Sequence, residues 1–185
     1  MNEAPSSRIW TVGHGTRPIE DLIDELRAAG ARRLVDVRTA PGSRRNPQFG
    51  RDELSAFLDR AGLVHEWQKD LGGFRRPRPD SSNRAIRNDS FRGYADYMGT
   101  DKFRTALDDL ESSSVSTPTS IMCAESVWWR CHRRMVADAL TVDGWEVVHL
   151  MPDGRSQPHR LHPDLRVEGH RLIYDGGQPA FDVGA

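Results

Sequence analysis

The feature that most constrains the fold is a regular alternation between short apolar runs and segments whose apolar residues recur at helical spacing. The run LVDV at 34–37 is apolar apart from one aspartate, which is typical of a strand buried on both faces of a sheet. Strands are predicted over 8–12, 32–38, 64–67, 119–123, 144–150 and 171–174, and helices over 18–29, 51–61, 91–112 and 131–140. This order predicts an α/β fold in which a mainly parallel central sheet is flanked by helices, as in three-layer Rossmann-like or rhodanese-like domains.

The chain length fits a single domain with a sizeable core, since 185 residues fall within the usual range for one domain. We expect the core to span about 8–150, and 151–185, with its scattered Pro, Gly and His, to form a peripheral C-terminal extension. Residues 71–88 are rich in Gly, Pro, Arg and Ser, and a loop of that length is either functional or mobile.

Composition argues against several classes of protein. Because no run of about 18 apolar residues occurs, no membrane span or membrane partner is expected, and MNEAPSSRIW lacks the features of a secretion signal. A cytoplasmic location is therefore expected, where the two cysteines are expected to be thiols. The net charge of −1 argues against nonspecific coating of nucleic acid. All but two of the 26 basic residues are arginines, which suit bidentate recognition of phosphate, although coding bias explains that preference equally well.

Three polar segments follow predicted strands: Gly13-His14-Gly15, the pair Asp36 and Arg38, and the stretch CAESVWWRCHRR at 123–134. Ligands bind beyond the carboxyl ends of parallel strands, so we expect these segments to meet in one crevice. The glycines beside His14 allow a ligand to approach the backbone closely. Asp36 and Arg38 share one face of their strand, and they either serve the crevice or form an architectural ion pair.

The cysteine stretch connects a predicted strand with a predicted helix, whose N-terminal N–H groups favour an anion. A cysteine in such a field has a lowered pKa, which makes Cys123 a candidate nucleophile. His132 is a candidate base or acid, and Glu125 is a candidate orienting group or proton carrier. Because it ends an apolar strand, Cys123 is equally well interpreted as a small buried hydrophobic residue.

Metal binding is a competing hypothesis, because Cys123, Cys131, His132 and His14 would supply soft ligands. The seven-residue gap between the cysteines and the adjacent Cys-His pair match no common zinc spacing. Two neighbours on a helix also point about 100° apart, which makes joint coordination awkward. The sequence therefore predicts neither a metal nor another cofactor.

Substrate contacts are expected from polar groups and aromatic rings beside these segments. Arginine and hydroxyl groups in loops suit phosphate, whereas aromatic faces beside arginines suit a base or nucleotide and also suit ordinary core packing. The expected contacts are Arg38, Ser43, Arg44, Cys131 and Arg133 for phosphate, and Phe49 and Trp128 for an aromatic base.

The segments TVGHGT, LVDVRTAPGSRRNPQF, LGG, YADYM and CAE…CHR occur together and in order, so that the sequence resembles the domain of unknown function 488 family from about Trp10 to Leu150. The family pattern places a histidine after the first strand, Asp-x-Arg on the second, Ser-Arg in the next loop and Cys-x-Glu…Cys-His-Arg late in the domain. In this chain the pattern falls on His14, Asp36, Arg38, Ser43, Arg44, Cys123, Glu125, Cys131, His132 and Arg133. The chain departs from the pattern at Gly15, where serine is common, and at Trp128-Trp129, where a proline-containing turn is usual.

The resemblance implies a fold and a candidate site, but it implies no reaction. A weaker similarity to rhodanese-type domains rests on the Asp-Val-Arg strand and on a later strand that ends in a cysteine loop. The loop at 123–130 differs from theirs in length, and we treat this similarity as an analogy that slightly favours thiol chemistry.

Three functions are consistent with these residues. The first is hydrolysis of a phosphate-bearing substrate, a nucleotide or nucleic acid, at a phosphoester or N-glycosidic bond. In that hypothesis Glu125 and His132 move protons, and Asp36 or Glu125 activates water. The second is sulfur or phosphoryl transfer with Cys123 as covalent nucleophile. The third is a binding module without turnover, whose partner is a nucleic acid or a protein.

Overall fold

The structure, a computed structural model, describes residues 7–42 and 44–177. The strands of its central sheet are β1 (Arg8–Gly13), β2 (Arg33–Asp36), β3 (Val64–Trp67), β4 (Thr119–Cys123), β5 (Glu146–Leu150) and β6 (Ser156–Pro158). They lie in the order β3-β2-β4-β1-β5-β6. Strands β1 to β5 are parallel, and β6 pairs antiparallel with β5 at one edge.

Helices cover both faces of this sheet. They are α1 (Ile19–Ala29), α2 (Arg51–Arg60), α3 (Asp89–Met98), α4 (Asp101–Ser114) and α5 (Arg133–Val142). Helices α1 and α2 form one apolar core with sheet residues that include Leu34 and Met122. Helices α3, α4 and α5 form a second core with Val35 and Ile121, whose side chains leave the opposite face because side chains alternate along a strand. The predicted α/β fold with a mainly parallel sheet and three layers is confirmed.

Two of the helices differ from the sequence prediction. The long helix expected before β4 is two helices, because the chain turns at Gly99 and the Thr100 side chain then caps α4. Helix α5 begins at Arg133 rather than at Cys131, because a 3-10 turn at Trp128–Arg130 precedes it. None of the helices in the described part of the chain combines the length and the apolar composition needed to cross a membrane.

The long loop at 72–88 is attached to α3 through Asp96. The carboxylate of Asp96 accepts hydrogen bonds from the backbone N–H of Arg78 at 2.7 Å, the hydroxyl of Ser81 at 2.6 Å and the amide of Asn83 at 2.8 Å. These bonds give the loop a defined course beside α3, from which it forms one wall of the crevice described below.

The C-terminal extension packs against the domain through buried residues. After β6, the strands β7 (Leu165–Glu168) and β8 (Arg171–Tyr174) form an antiparallel hairpin, of which the sequence predicts only β8. The side chains of Leu165 and Tyr174 are buried in the core that α5 shares. The hydroxyl of Tyr174 donates to Oδ2 of Asp138 on α5 at 3.0 Å, so the hairpin is joined to the last helix.

Candidate active site

A crevice opens at the carboxyl-terminal edge of the sheet, beyond the adjacent strands β2, β4 and β1. It consists of two neighbouring cavities of about 400 and 570 Å³, which we call the thiol cavity and the histidine cavity. Both are lined by Arg38, Ala40, Ala124, Glu125 and Arg130. The thiol cavity is also lined by residues that include Gly73, Phe74, Phe91, Tyr94, Cys123, Cys131 and His132. The histidine cavity is also lined by residues that include His14, Gly15, Thr16, Asn46 and Ser126.

Asp36 fixes the guanidinium of Arg38 at the base of the crevice. Nε and Nη2 of Arg38 donate to the two carboxylate oxygens of Asp36 at 2.8 and 2.6 Å, and the Arg38 backbone N–H donates to Oδ1 at 3.0 Å. Asp36 is completely buried and does not line either cavity. Because Arg38 occupies both of its oxygens, Asp36 orients Arg38 rather than reaching a ligand.

His14 is a buried, neutral neighbour of that arginine. Its Nδ1–H donates to the Gly15 carbonyl at 2.8 Å, which leaves Nε2 to accept from Nη1 of Arg38 at 3.2 Å. The imidazole stacks on Phe49, with ring centroids 4.2 Å apart. Burial lowers the pKa of His14, and the charge of Arg38 lowers it further. The side chain is therefore held as an uncharged hydrogen-bond partner of Arg38.

Cys123, Cys131 and His132 meet at the base of the thiol cavity, and all three are buried. Nδ1 of His132 lies 3.8 Å from Sγ of Cys123 and 3.7 Å from Sγ of Cys131. Nε2 of the same ring lies 3.1 Å from the carbonyl oxygen of Val37. A carbonyl oxygen only accepts, so Nε2 carries the hydrogen and, in the neutral ring, Nδ1 presents its lone pair to the two sulfurs.

The pKa values of the two thiols are shifted in opposite directions. The hydrogen bond with Cys131, followed by the influence of His132 and of the buried Arg133, holds the pKa of the Cys123 thiol well below its usual value, although burial opposes this shift. Burial raises the pKa of the Cys131 thiol well above its usual value. Cys123 is therefore the more acidic thiol of the pair.

Two features set the course of the cysteine loop, 124–130. The guanidinium of Arg133 is buried and donates to the carbonyl of Glu125 at 2.6 Å and to that of Ser126 at 3.1 Å. Among the described residues, no carboxylate pairs with Arg133 within 4.0 Å. A Cβ atom at Gly13 would lie 1.8 Å from the Glu125 carbonyl oxygen, so the loop lies directly against the backbone of β1 where only glycine fits.

The long loop supplies an aromatic outer wall to the thiol cavity. Phe74 is 90% exposed, and its φ of 59° is the only positive φ of a residue other than glycine in the described part of the chain. The hydroxyl of Thr39 donates to the Gly73 carbonyl at 2.8 Å and so ties this loop to the segment after β2. Phe91 of α3 lines the same cavity. An exposed ring on an unfavourable backbone conformation beside a cavity is the kind of feature that clusters at ligand sites.

The residues predicted from the sequence fall into three groups. Those that line the crevice are His14, Arg38, Cys123, Glu125, Cys131 and His132. Those that are buried behind it are Asp36, Phe49 and Arg133. Two of the remaining residues, Arg44 and Trp128, lie outside the lining of both cavities, and Ser43 lies outside the described residues.

Two aromatic residues of the crevice, Phe74 and Phe91, are not evident from the sequence. The available signal for Phe74 is the run Gly72-Gly73-Phe74, in which two glycines precede an aromatic residue inside a long polar loop. For Phe91 there is no such signal, because a phenylalanine in the first turn of a helix is ordinary in a core.

A second buried polar cluster, the histidine relay, lies beneath Trp128. The Thr11 hydroxyl lies 2.7 Å from Nδ1 of His149, and Nε2 of His149 lies 2.9 Å from Nδ1 of His159. Nε2 of His159 then donates to Oδ1 of Asp138 at 2.8 Å. Trp128 stacks on His149, with ring centroids 4.2 Å apart. Burial lowers the pKa of His149 to about 3, so the imidazole on which Trp128 stacks is uncharged.

Comparison with known protein families finds one relationship. The model of the family described as domain of unknown function DUF488 matches residues 18–140, more than half of the chain. The match includes Asp36, Arg38 and the whole cysteine stretch. No curated protein and no solved structure matches the chain. The chain therefore belongs to the DUF488 family.

Proposed function

We propose that the protein is an enzyme that hydrolyses a phosphate-bearing substrate, a nucleotide or a nucleic acid, in this crevice. The observation that carries the proposal is the set of groups around one cavity: two arginines, a carboxylate, a histidine and three aromatic rings, of which that of Phe74 is exposed. Together they supply what such a reaction needs, namely a way to hold an anion, a surface for a base and a group that moves a proton.

The phosphate would be held by Arg38 and Arg130, which line both cavities. Asp36 already holds Arg38 in one orientation, so little rotational freedom is lost when an anion binds. Arg130 is exposed at the end of the cysteine loop and can reach an entering phosphate from the solvent side. The planar guanidinium fork matches two phosphate oxygens at once.

The base would stack on the aromatic wall of the thiol cavity. Phe74 presents nearly all of its ring to solvent, and Phe91 and Tyr94 line the cavity behind it. Stacking of a base on an aromatic side chain contributes about 1–3 kcal/mol and tolerates any base. The sequence predicts Phe49 and Trp128 as the rings that contact the base, but these two rings stack on His14 and His149. We therefore assign the base contact to Phe74 and Phe91 instead.

Glu125 is the group proposed to move the proton. Its side chain is exposed in the lining of both cavities, and its carbonyl is fixed by Arg133. As a carboxylate it would take a proton from the attacking water and return it to the leaving group. His132 suits this role less, because Nε2 donates to the Val37 carbonyl and Nδ1 faces the two sulfurs.

The test is an assay for product release by the full-length protein. Nucleotides, single-stranded DNA and RNA, and oligonucleotides with damaged bases are incubated with it, and inorganic phosphate and free base are quantified. We expect release of one of these products, and a loss of about 100-fold or more in kcat for Glu125→Gln with little change in substrate affinity. Glu20→Gln, at an exposed position of α1, is the matched control. Binding without product release would support a non-catalytic binding module instead.

A second candidate function is sulfur or phosphoryl transfer, and the position of the Cys123 thiol favours it. Cys123 ends β4 in the lining of the thiol cavity, with Nδ1 of His132 at 3.8 Å and Arg130 in the same lining. In phosphoryl transfer the thiolate would form an S–P bond while the P–O bond to the leaving group breaks and the leaving oxygen takes up a proton. Water would then cleave the S–P bond and restore the thiolate.

Acid quenching followed by mass spectrometry separates the two candidates. Covalent transfer predicts a substrate-derived adduct on Cys123 that is absent from Cys123→Ser and is still formed by Cys131→Ser. Direct hydrolysis predicts turnover without an adduct on either cysteine.

A further inference from the structure

We propose that Cys123, Cys131 and His132 form a zinc-binding site at the base of the thiol cavity. One ligand would come from the end of β4, and the other two from the residues just before α5. The two sulfurs and Nδ1 of His132 lie within 4.8 Å of one another. The spacing of these residues in the sequence matches no common zinc motif, so the site is visible only in three dimensions.

The distances match one face of a tetrahedral site. Zn–S bonds of about 2.3 Å and Zn–N bonds of about 2.0–2.1 Å place a sulfur and a nitrogen about 3.5–3.6 Å apart in tetrahedral geometry. Nδ1 of His132 lies 3.8 Å from one sulfur and 3.7 Å from the other. The two sulfurs lie within 4.8 Å of each other, whereas a tetrahedral zinc with Zn–S bonds of about 2.3 Å places them about 3.8 Å apart. Closure of the sulfurs by up to about 1 Å, with smaller shifts of the imidazole, would therefore bring all three ligands to bonding distance of a single ion.

His132 is already oriented as a metal ligand. A ligating histidine donates its other ring N–H to a carboxylate or backbone carbonyl, which fixes the tautomer and the ring orientation. Here Nε2 donates to the Val37 carbonyl at 3.1 Å, and the ring packs against the edge of Tyr94 with centroids 5.1 Å apart. Gly73 lies against the same ring, since a Cβ there would be 2.9 Å from Nδ1.

The backbone at Cys131 permits two adjacent residues to act together. Cys131 is in an extended conformation, with φ −128° and ψ 148°, and only His132 has helical dihedral angles. The divergence of about 100° between neighbours on a helix therefore does not apply to this pair. Two thiolates and an imidazole form a soft donor set, which favours zinc over magnesium or calcium.

The site would have an open position toward the substrate. Three protein ligands leave a fourth position for water, which is the arrangement of catalytic rather than structural zinc sites. All three side chains line the thiol cavity, which Glu125 also lines. In such a site zinc lowers the pKa of a water molecule and so supplies a nucleophile at neutral pH. This role, unlike the site itself, rests on the proposed function.

Titration of the full-length protein with Zn²⁺, after chelation and under reducing conditions, tests the site without a substrate. We expect one equivalent to bind by calorimetry, and Co²⁺ to give the intense visible bands and the sulfur-to-metal charge-transfer absorption of a four-coordinate thiolate site. Cys123→Ser, Cys131→Ser and His132→Gln should each weaken Zn²⁺ binding by about 100-fold or more. His170→Gln, whose native side chain is 88% exposed, is the matched control that keeps the original affinity.

A measurement on the unaltered protein covers the case in which a ligand variant does not fold. Bound Zn²⁺ should protect both thiols from alkylation, and circular dichroism identifies any variant that has lost its structure. The site is overturned by unprotected thiols, by the absence of stoichiometric binding, or by folded ligand variants that bind as tightly as His170→Gln. Zinc binding without hydrolysis of any substrate would uphold the site and overturn the proposed function. Hydrolysis by zinc-free protein would uphold the proposed function and overturn the catalytic role of the zinc.

Discussion

Both carboxylate oxygens of Asp36 are hydrogen-bonded to the guanidinium of Arg38, two residues further along the chain. Asp36 is completely buried and Arg38 is 6% exposed, so water has little access to this ion pair. Arg38 thus presents its charge to the crevice in one orientation before any ligand arrives. Charges that are fixed in advance stabilise a developing negative charge without a cost of reorganisation.

Removal of the charge of Asp36 should destabilise the domain. Asp36→Asn leaves a buried guanidinium without its counterion, and we expect the free energy of unfolding to fall by about 3 kcal/mol. Denaturant-induced unfolding measures the change. Glu146→Gln is the control, because the Arg8–Glu146 pair is exposed and its loss should change stability by less than about 1 kcal/mol. Equal losses in the two variants would contradict this account of the buried pair.

Arg130 and Arg44 should differ in their effect on ligand binding. Arg130 lines both cavities, whereas Arg44 is exposed and lies outside their lining. Because a charge-assisted hydrogen bond to phosphate is lost, we expect Arg130→Gln to weaken the binding of a nucleoside monophosphate about 10-fold. Arg44→Gln should leave the Kd unchanged. Calorimetric titrations at one ionic strength give both Kd values. An equal loss of affinity in the two variants would indicate a nonspecific charge effect.

Substitution of Gly13 should displace the cysteine loop although Gly13 lines neither cavity. The added Cβ would overlap the Glu125 carbonyl oxygen, and that backbone cannot move aside without shifting the whole loop. We expect Gly13→Ala to lower the free energy of unfolding by about 1–3 kcal/mol. Gly42→Ala is matched in chemistry, and its Cβ would meet nothing within 4 Å. If denaturant unfolding gave the two variants the same stability, the loop would not depend on this close approach.

The histidine relay should make the protein sensitive to acid. Burial, followed by the charges of His159 and Arg133, lowers the pKa of His149 to about 3. Histidine in an unfolded chain has a pKa of about 6.5. Between these values the unfolded chain binds a proton that the folded chain does not, so the free energy of unfolding decreases as the pH falls through this window.

Replacing His149 should remove that contribution. We expect the stability of His149→Gln to depend less steeply on pH, by about 1.4 kcal/mol per pH unit, between about pH 6 and about pH 4. Chemical unfolding at a series of pH values measures the slope, and His170→Gln controls for the loss of an exposed imidazole. Parallel curves for His149→Gln and the unaltered protein would mean that another group dominates the acid response.

The fold could be predicted because its signals are local. The apolar runs that became β3 and β4 have the bounds expected from the sequence, 64–67 and 119–123. Alternation of strands with helices then implies parallel pairing, and parallel pairing brings the ends of β1, β2 and β4 to one edge. That His14, Arg38 and Cys123 share a crevice lining follows from this topology alone.

The arrangement of the thiols could not be predicted in the same way. It depends on the cysteine loop lying against Gly13 and on a 3-10 turn that keeps Cys131 out of α5. Neither feature follows from the periodicity of the sequence. The sequence prediction places Cys131 and His132 on one helix, where their side chains would diverge, whereas in the structure both lie beside Cys123. The position of Phe74 could not be predicted either, because the loop that carries it is held by residues distant in the sequence: the Thr39 hydroxyl at the Gly73 carbonyl, and the Asp96 carboxylate further along the loop.

The attachment of the C-terminal hairpin to Asp138 limits how the protein can be shortened for experiments. A fragment trimmed to the segment that the family model matches, 18–140, would lack β1, which lies between β4 and β5, and would leave β4 with an open edge. It would also strip Asp138 of the Tyr174 hydroxyl and the His159 imidazole that now satisfy its carboxylate. The shortest fragment that keeps the sheet closed and retains the hydrogen-bond partners of the Asp138 carboxylate must therefore extend at least from β1 to Tyr174.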